Sequence, residues 1–303
     1  MAQGIGWTTN ARRGAAPGII QSRSRSESQT CGTASTGARL PDWQHFQNIA
    51  AYLHEPVTRL RHIFRCYKRH QKYLATIRDK RQSPVMLQQI AESFDFPQHE
   101  SYSQLLKLDT RSRIIVSAHT GNYIFLPALL ASIEPPCRQQ FVLSLSAASE
   151  ACVENLKGAF PAVRAHLQSQ LLVSNANPLV LARILRRNRT TLYTFGDLPP
   201  QFGESAHVEF LGRSAVFPRG PASLAVACRI PILPIVPVLV DGRCQVLAAP
   251  QLEPEQFSGR DCQAAARAIT QILVRFFESV LQQYPEQWRY LPCLPQYFAM
   301  APD

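Results

Sequence analysis

The chain has 303 residues, of which 46% are hydrophobic and 17% charged, enough apolar material for one large domain or two small ones. This composition excludes wholesale disorder. The formal net charge of +11 is unevenly spread, since residues 1–40 contribute +4 (five Arg against one acidic residue) and residues 41–83 contribute +6 (nine Lys and Arg against three). The other 220 residues carry only +1, so an anionic partner would meet the N-terminal part.

Targeting, metal-binding and membrane-spanning patterns are weak. Residues 1–40 lack the apolar core of a signal peptide, and we expect a disordered leader. The eight cysteines form no C-x-x-C pair and no Cys/His cluster, which favours neither a zinc site nor a disulfide scaffold and fits a reducing compartment. The longest apolar run, Ile230–Val240, has 11 residues, short of the roughly 20 that a membrane helix requires, so we predict a buried strand.

Residues 41–110 are predicted to form a basic helical region. Asp42 is suited to cap a first helix that reaches Leu53 before a proline ends it. From Leu60 to Ile77 apolar residues then recur at helical spacing, with Lys and Arg on the opposite face. This face is interpreted as a solvated surface, as a surface for anionic lipid or an acidic carrier protein, or, with least support, as a nucleic-acid surface. Because no nucleic-acid motif accompanies it, we expect no nucleic-acid partner.

Residues 111–303 alternate short β-branched runs with helix-period stretches, which predicts an α/β domain with a largely parallel central sheet flanked by helices. The predicted strands are Arg113–Ala118, Gln140–Ser146, Leu171–Ser174, Thr190–Phe195, Val208–Leu211, Ile232–Val240 and Gln245–Ala248. The predicted helices are Tyr123–Ile133, Ala148–Ala159, Ala162–Gln168, Leu179–Arg187, Pro221–Cys228 and Cys262–Gln283.

Two polar residues directly follow predicted strands. His119 opens a turn into an apolar helix, and Asp197 lies in a turn rich in Gly and Pro. Because the carboxyl ends of parallel strands share one edge of a sheet, both side chains are expected in the same crevice. An imidazole can take the proton of an attacking hydroxyl, and backbone N–H groups at the helix start can hold a developing oxyanion. His119 is therefore a candidate general base.

Short motifs follow one another in a fixed order along this domain. They are His119–Tyr123 (HTGNY), Val208–Gly212 (VEFLG), Pro218–Ala225 (PRGPASLA), the buried strand Ile232–Val238 and Tyr284–Trp288 (YPEQW). These motifs resemble the H-x-G-N-aromatic, F-x-G, P-x-G-P-A-x-L-A, P-V and P-E-Q-W signatures of the late acyltransferases of lipid A biosynthesis and the related mannoside acyltransferases. That family is a branch of the lysophospholipid acyltransferase superfamily.

The resemblance implies a glycerolipid-acyltransferase-like fold and a fatty acyl thioester donor, on acyl carrier protein or coenzyme A. It also implies a lipid or amphipathic acceptor at the cytoplasmic, inner face of the bacterial cell membrane. The acyl thioester is a co-substrate, and we expect no further cofactor and no metal. Because the sequence predicts no membrane helix, we expect peripheral attachment to an anionic membrane surface.

One position departs from the family pattern. The family's catalytic pair is H-x4-D/E, yet the fifth residue after His119 is Ile124. A carboxylate that orients a catalytic His is worth about 10⁴ in rate in the serine-protease triad, so we expect a replacement. Asp197 is the first candidate, because the sheet argument places it in the crevice and the family tends to carry an acid in this turn. Glu209 is the second candidate. The alternative for Asp197 is a turn residue whose side chain bonds to its own backbone, and the alternative for Glu209 is a strand residue that faces solvent.

Five further residues are candidates for substrate binding. Gly121 and Asn122 belong to the His motif. Arg219 and Gly220 lie at a predicted helix start, where free N–H groups and a guanidinium suit a phosphate of donor or acceptor. Gly-Pro at a helix start is also ordinary capping. Arg164 is a weaker anion-binding candidate, since an exposed helix Arg needs no special explanation.

Two functions remain open at this point. In the first, His119 deprotonates a hydroxyl or amine that attacks the thioester directly, because no G-x-S-x-G nucleophile elbow occurs. In the second, a catalytically degenerate protein binds acyl chains or a carrier protein, which the loss at Ile124 allows. The two differ in whether a carboxylate lies within hydrogen-bond reach of the His119 ring. Trp288 is expected only to anchor the C-terminal helix.

Overall fold

The computed structural model describes residues 40–80, 93–95, 111–127, 130, 140–145, 171–173, 178–186 and 189–298. Its N-terminal part holds three helices, α1 (Trp43–Gln47), α2 (Ala50–Leu53) and α3 (Val57–Lys80). Asp42 caps α1 as predicted, and its carboxylate accepts a hydrogen bond from the backbone N–H of His45 at 2.8 Å. The first predicted helix is divided in two, and α2 ends at His54, which adopts a left-handed conformation with φ of 54°.

The centre of the molecule is a seven-stranded sheet. Its strands are β1 (Phe94–Asp95), β2 (Arg113–Ser117), β3 (Gln140–Leu145), β4 (Leu171–Val173), β5 (Thr190–Phe195), β8 (Ile232–Val240) and β9 (Arg243–Ala248). Their order across the sheet is β1-β9-β8-β2-β5-β3-β4. All neighbouring strands run parallel except β8 and β9. The buried run Ile114–Val116 lies at its middle, as expected for a parallel strand covered on both faces. The predicted fold class, an α/β domain with a largely parallel sheet, is confirmed.

A separate antiparallel hairpin is formed by β6 (Ser205–Phe210) and β7 (Arg213–Pro218). The strand predicted around Val208 therefore belongs to this hairpin and not to the main sheet. Val208 and Phe210 are buried while Glu209 between them is exposed, the alternation of a sheet with one covered face. The sequence analysis did not predict β7 or the short β1.

Among the elements whose bounds the structure describes, the helices that follow strands of the domain are α4 (Pro178–Leu185), α5 (Gly220–Cys228), α6 (Cys262–Gln283) and α7 (Leu294–Phe298). The longest, α6, has the predicted bounds and is capped by Asp261, which accepts from the N–H of Ala264 at 2.8 Å. Within the described parts of the chain, no helix combines the length and apolarity needed to cross a membrane. Short 3-10 turns occur at Pro200–Phe202, Pro254–Phe257, Pro285–Gln287 and Leu291–Cys293.

The N-terminal helices share a hydrophobic core with the C-terminal segment. Leu60 and Tyr67 of α3 pack in one buried cluster with Phe210 of the hairpin and with Trp288 and Tyr297 near the C-terminus. A second cluster lies between the main sheet and helices α4, α5 and α6. Helix α3 is thereby fixed against the domain, with its apolar stripe inward.

Some sequence predictions fall outside the described residues. These are the leader, part of the helix Tyr123–Ile133, the helices Ala148–Ala159 and Ala162–Gln168, and Arg164. Among the described cysteines, Cys66, Cys228, Cys244 and Cys262 carry free thiols. Cys293 is disulfide-bonded, which the scattered cysteine pattern did not predict.

Candidate active site

The register of two neighbouring strands brings His119 and Asp197 together. β2 and β5 are parallel and hydrogen-bonded, and Ser117 pairs with Phe195 at their carboxyl ends. His119 and Asp197 each lie two residues beyond that pair. The N–H of Gly196 also donates to the carbonyl of Ser117 at 2.9 Å, which extends the pairing of the two strands by one residue. Both residues therefore lie at the same edge of the sheet, as the sheet argument predicts.

The Asp197 carboxylate binds the His119 imidazole directly. Oδ1 of Asp197 lies 2.7 Å from Nδ1 of His119, and Oδ2 accepts the backbone N–H of His119 at 2.7 Å. Because an ionised carboxylate only accepts hydrogen bonds, Nδ1 carries the hydrogen, and in the neutral ring the lone pair is then on Nε2. This is the tautomer that a general base requires.

The other candidate acid, Glu209, lies on the surface of the hairpin. Glu209 is exposed on β6, and its backbone pairs with the side chain of Gln271 on α6 through bonds of 2.7 and 2.8 Å. Asp197, by contrast, is 1% exposed. The geometry therefore brings Asp197 to the His119 ring and leaves Glu209 on the hairpin surface.

Aromatic side chains enclose the His119 ring. Phe195 stacks on it with ring centroids 3.8 Å apart, and Tyr123 and Tyr290 meet it edge-on, each at 4.9 Å. About 10% of the imidazole side chain remains exposed. The pKa of Tyr290 is raised by burial and by the nearby negative charge of Asp197, so its phenol stays protonated. The imidazole is thus nearly enclosed, with three aromatic rings around it and the Asp197 carboxylate at Nδ1.

The turn after His119 is fixed by a close approach to β8. Gly121 has φ of +47°, and a Cβ at this position would lie 2.6 Å from the carbonyl oxygen of Pro237. The hydroxyl of Thr120 donates to that same carbonyl at 2.7 Å. The N–H groups of His119 and Thr120 are bonded to Asp197 and to the carbonyl of Ala118. The expected oxyanion role therefore does not fall to these two donors.

Helix α3 also contacts the turn that follows His119. Asn122 is fully buried, and its amide donates to the hydroxyl of Tyr73 at 3.3 Å. Burial lowers the pKa of His70 from 6.5 to about 4, and a hydrogen bond to the backbone of Gly121 partly opposes this shift. In this structure Gly121 and Asn122 contact protein atoms, and their role in substrate binding stays a prediction.

The predicted anion-binding residues lie at the start of α5. Arg219 precedes the first turn of the helix, and its guanidinium donates to the carboxylate of Glu204 at 2.9 Å. Glu204 is largely exposed, whereas Arg219 is mostly covered. Gly220 is exposed at the helix start. An anion bound here would compete with Glu204 for the guanidinium.

Sequence reasoning missed the contribution of the C-terminal segment. The indole Nε1 of Trp288 donates to Oδ2 of Asp197 at 2.8 Å, and the hydroxyl of Tyr297 donates to the Asp197 carbonyl at 2.6 Å. The backbone N–H of Arg289 donates to the carbonyl of His119 at 2.9 Å. The only signal in the sequence was the P-E-Q-W motif, which by itself indicates no partner.

The fold and this pair define an α/β protein with a buried His-Asp couple beyond the carboxyl ends of two adjacent parallel strands. Residues 146–294 match the family model of bacterial lipid A biosynthesis acyltransferases. The resemblance drawn from the motifs is confirmed. The matched range includes Asp197, Arg219 and Trp288 and begins after His119. No curated protein gives a significant match to the chain.

This family match supports acyltransferase activity on a lipid. Among the described residues, no group of three or more His, Cys, Asp or Glu side chains is placed to hold a metal ion.

Proposed function

We propose that this protein transfers a fatty acyl group from a thioester, carried by acyl carrier protein or coenzyme A, to a hydroxyl or amine of a lipid or amphipathic acceptor. The observation that carries the proposal is the 2.7 Å contact between Nδ1 of His119 and Oδ1 of Asp197. It supplies, from another strand, the carboxylate that is missing at Ile124. A protein that only binds acyl chains has no need of a buried, oriented His-Asp couple.

The chemistry assigned to the pair is direct acyl transfer. The acceptor O–H or N–H gives its proton to Nε2 of His119 while its heavy atom attacks the thioester carbonyl carbon. Asp197 stabilises the imidazolium that forms. When the tetrahedral intermediate collapses, the C–S bond breaks and the leaving thiolate takes the proton from His119. No acyl-enzyme is required, and the His is neutral again at the end of the cycle.

The exposed face of α3 supports peripheral attachment at an anionic inner membrane surface. Arg65, Arg69 and Lys72 are exposed on this helix, while Leu60 and Tyr67 on its other side are buried. Basic side chains near an anionic lipid surface contribute about 1 kcal/mol each. Through Tyr73 and Asn122 the same helix touches the turn that bears His119, so a surface bound to α3 would hold the acceptor lipid close to the site.

The test is incorporation of a labelled acyl group into lipid. Purified full-length protein is incubated with a bacterial membrane extract and either labelled acyl carrier protein or labelled acyl coenzyme A, and the lipids are separated. We expect a labelled lipid with the parent protein and none with His119→Ala, and the more effective donor identifies the carrier. Retained donor binding without labelled lipid would contradict the proposal and favour the binding-only alternative.

A further inference from the structure

The carboxylate of Asp197 has three hydrogen-bond donors, and one comes from the far end of the chain. Oδ1 faces Nδ1 of His119, while Oδ2 receives the His119 backbone N–H at 2.7 Å and the indole N–H of Trp288 at 2.8 Å. Trp288 is 4% exposed. With Oδ2 held from two directions, the carboxylate plane is fixed and Oδ1 points at the imidazole.

The same C-terminal segment also holds the backbone of Asp197. The hydroxyl of Tyr297 donates to the Asp197 carbonyl at 2.6 Å, and Tyr297 is fully buried. Burial, together with the negative charge of Asp197, raises the pKa of Tyr297 well above its ordinary value, so the phenol remains a donor. Side chain and main chain of the acid are therefore anchored by residues about 90 to 100 positions later in the sequence.

A packing role alone does not explain this arrangement. Trp288 does pack in the core cluster with Phe210 and Tyr297, but packing requires only the ring and not the direction of its N–H. A buried indole N–H finds an acceptor, and here that acceptor is the one carboxylate oxygen that His119 Nδ1 does not use. Hydrogen bonds to an ionised acceptor are also stronger than neutral ones.

We propose that Trp288, assisted by Tyr297, is a positioning residue that fixes Asp197 for its contact with His119, so that the C-terminal segment 288–297 completes the active site. This inference rests on the proposed function, in which Asp197 orients the base. It also explains how the domain works with Ile124 in place of a nearby acid. An acid on a neighbouring strand replaces it, and the C-terminal segment supplies the support that the local pair would have had.

The test compares Trp288→Phe and Tyr297→Phe with a matched control, Trp43→Phe. Trp43 packs against the same core cluster, with its ring 5.4 Å from that of Phe64, and has no bond to the pair. Two quantities are measured: the proton NMR resonance of the His119 Nδ1–H, assigned by its loss in His119→Ala, and kcat and KM for acyl transfer. The NMR readout needs no substrate, so it is independent of the proposed activity.

We expect Trp288→Phe to shift the Nδ1–H resonance and to lower kcat about tenfold, with KM little changed because the buried indole acts through Asp197. Tyr297→Phe is expected to change both in the same direction by a smaller factor, and Trp43→Phe to change neither. A folded Trp288→Phe protein with the parental resonance and kcat would overturn the inference. If that variant does not fold, an unchanged resonance in Tyr297→Phe overturns it. If the parent transfers no acyl group but Trp288→Phe still shifts the His119 resonance relative to the parent, the positioning role is supported and the proposed function is contradicted.

Discussion

His119 and Asp197 stand at equivalent positions on adjacent parallel strands, each two residues past the paired couple Ser117 and Phe195. The contact between their side chains therefore depends on strand register. A slip of one residue would move one partner by about 3.3 Å along the strand and break a 2.7 Å hydrogen bond. The buried core of β2 and β5 protects that register, because a slip would also turn every side chain of the strand to the other face.

The first prediction concerns the coupling of this pair. His119→Ala and Asp197→Asn are each expected to lower the rate of acyl transfer by about 10³- to 10⁴-fold, because each change leaves the other residue without its function. The double variant is expected to be hardly slower than either single one, since residues that act as a unit are strongly non-additive. Initial rates with a labelled acyl donor measure all three.

Glu209→Gln is the matched control for the loss of a carboxylate. Its side chain is exposed on the hairpin, and we expect a rate close to that of the parent. The proposed mechanism is contradicted if Asp197→Asn stays within about tenfold of the parent rate, because a buried orienting acid is worth far more than that in comparable sites.

The second prediction concerns the glycine of the His119 turn. In Gly121→Ala the new Cβ would lie 2.6 Å from the Pro237 carbonyl oxygen, on a backbone with φ of +47°. Left-handed strain and overpacking each cost about 1–3 kcal/mol, so we expect the free energy of unfolding to fall by about 2–4 kcal/mol. Urea unfolding measures this change. Gly203→Ala is the control, because no heavy atom lies within 4 Å of a Cβ there and we expect no measurable loss.

The third prediction concerns pH and the buried His70. Its pKa in the folded protein is lowered to about 4 by burial, whereas in the unfolded chain it is near 6.5. Between these values the unfolded state binds the additional proton, so the free energy of unfolding decreases as the pH falls. The contribution is fully present above about pH 6.5, is lost progressively towards pH 4, and amounts to about 3 kcal/mol.

His70→Gln removes this titration while keeping a polar side chain of similar length. We expect its free energy of unfolding to fall less than that of the parent when urea unfolding is repeated at pH 7.5 and pH 4.5. His207→Gln alters an exposed histidine and is expected to keep the parental pH dependence. Equal pH slopes in His70→Gln and the parent would show that His70 does not titrate in this way.

The fourth prediction concerns the basic face of α3. Replacing Arg65, Arg69 and Lys72 by Gln is expected to weaken binding to vesicles that contain anionic phospholipid by about 100-fold, from three charges of about 1 kcal/mol each. Binding of the parent is expected to fall as salt is added, because these exposed charges are screened over about 10 Å at 0.1 M ionic strength. Co-sedimentation with vesicles measures the affinity.

A control with the same change in net charge separates the face from the total charge. Arg183, Arg260 and Arg275 are exposed on other parts of the domain, and replacing them by Gln should leave vesicle binding nearly unchanged. Equal loss in both triple variants would attribute binding to net charge alone. A parent protein that does not bind anionic vesicles at all would direct the basic face to an acidic carrier protein instead.

The sequence by itself determined those elements whose signals are local. The apolar stripe of α3, the cap at Asp42, and the bounds of Thr190–Phe195, Ile232–Val240 and Cys262–Gln283 agree with the structure. Hydrophobic period, capping residues and β-branched runs are properties of a few neighbouring residues, so they can be recognised without a partner. The same is true of the placement of His119 and Asp197 at strand ends, which follows from where each run stops.

Only the tertiary structure decided which groups meet. His119 and Asp197 are 78 residues apart in the chain, and Asp197 and Trp288 are 91 apart, so their contacts depend on strand order and register, which no local period encodes. The choice between Asp197 and Glu209 has the same origin, because a strand in the main sheet and a strand in a separate hairpin look alike in sequence. The indole of Trp288 is a donor in any fold, but only the packing of the C-terminal segment against the sheet gives it the carboxylate as its acceptor.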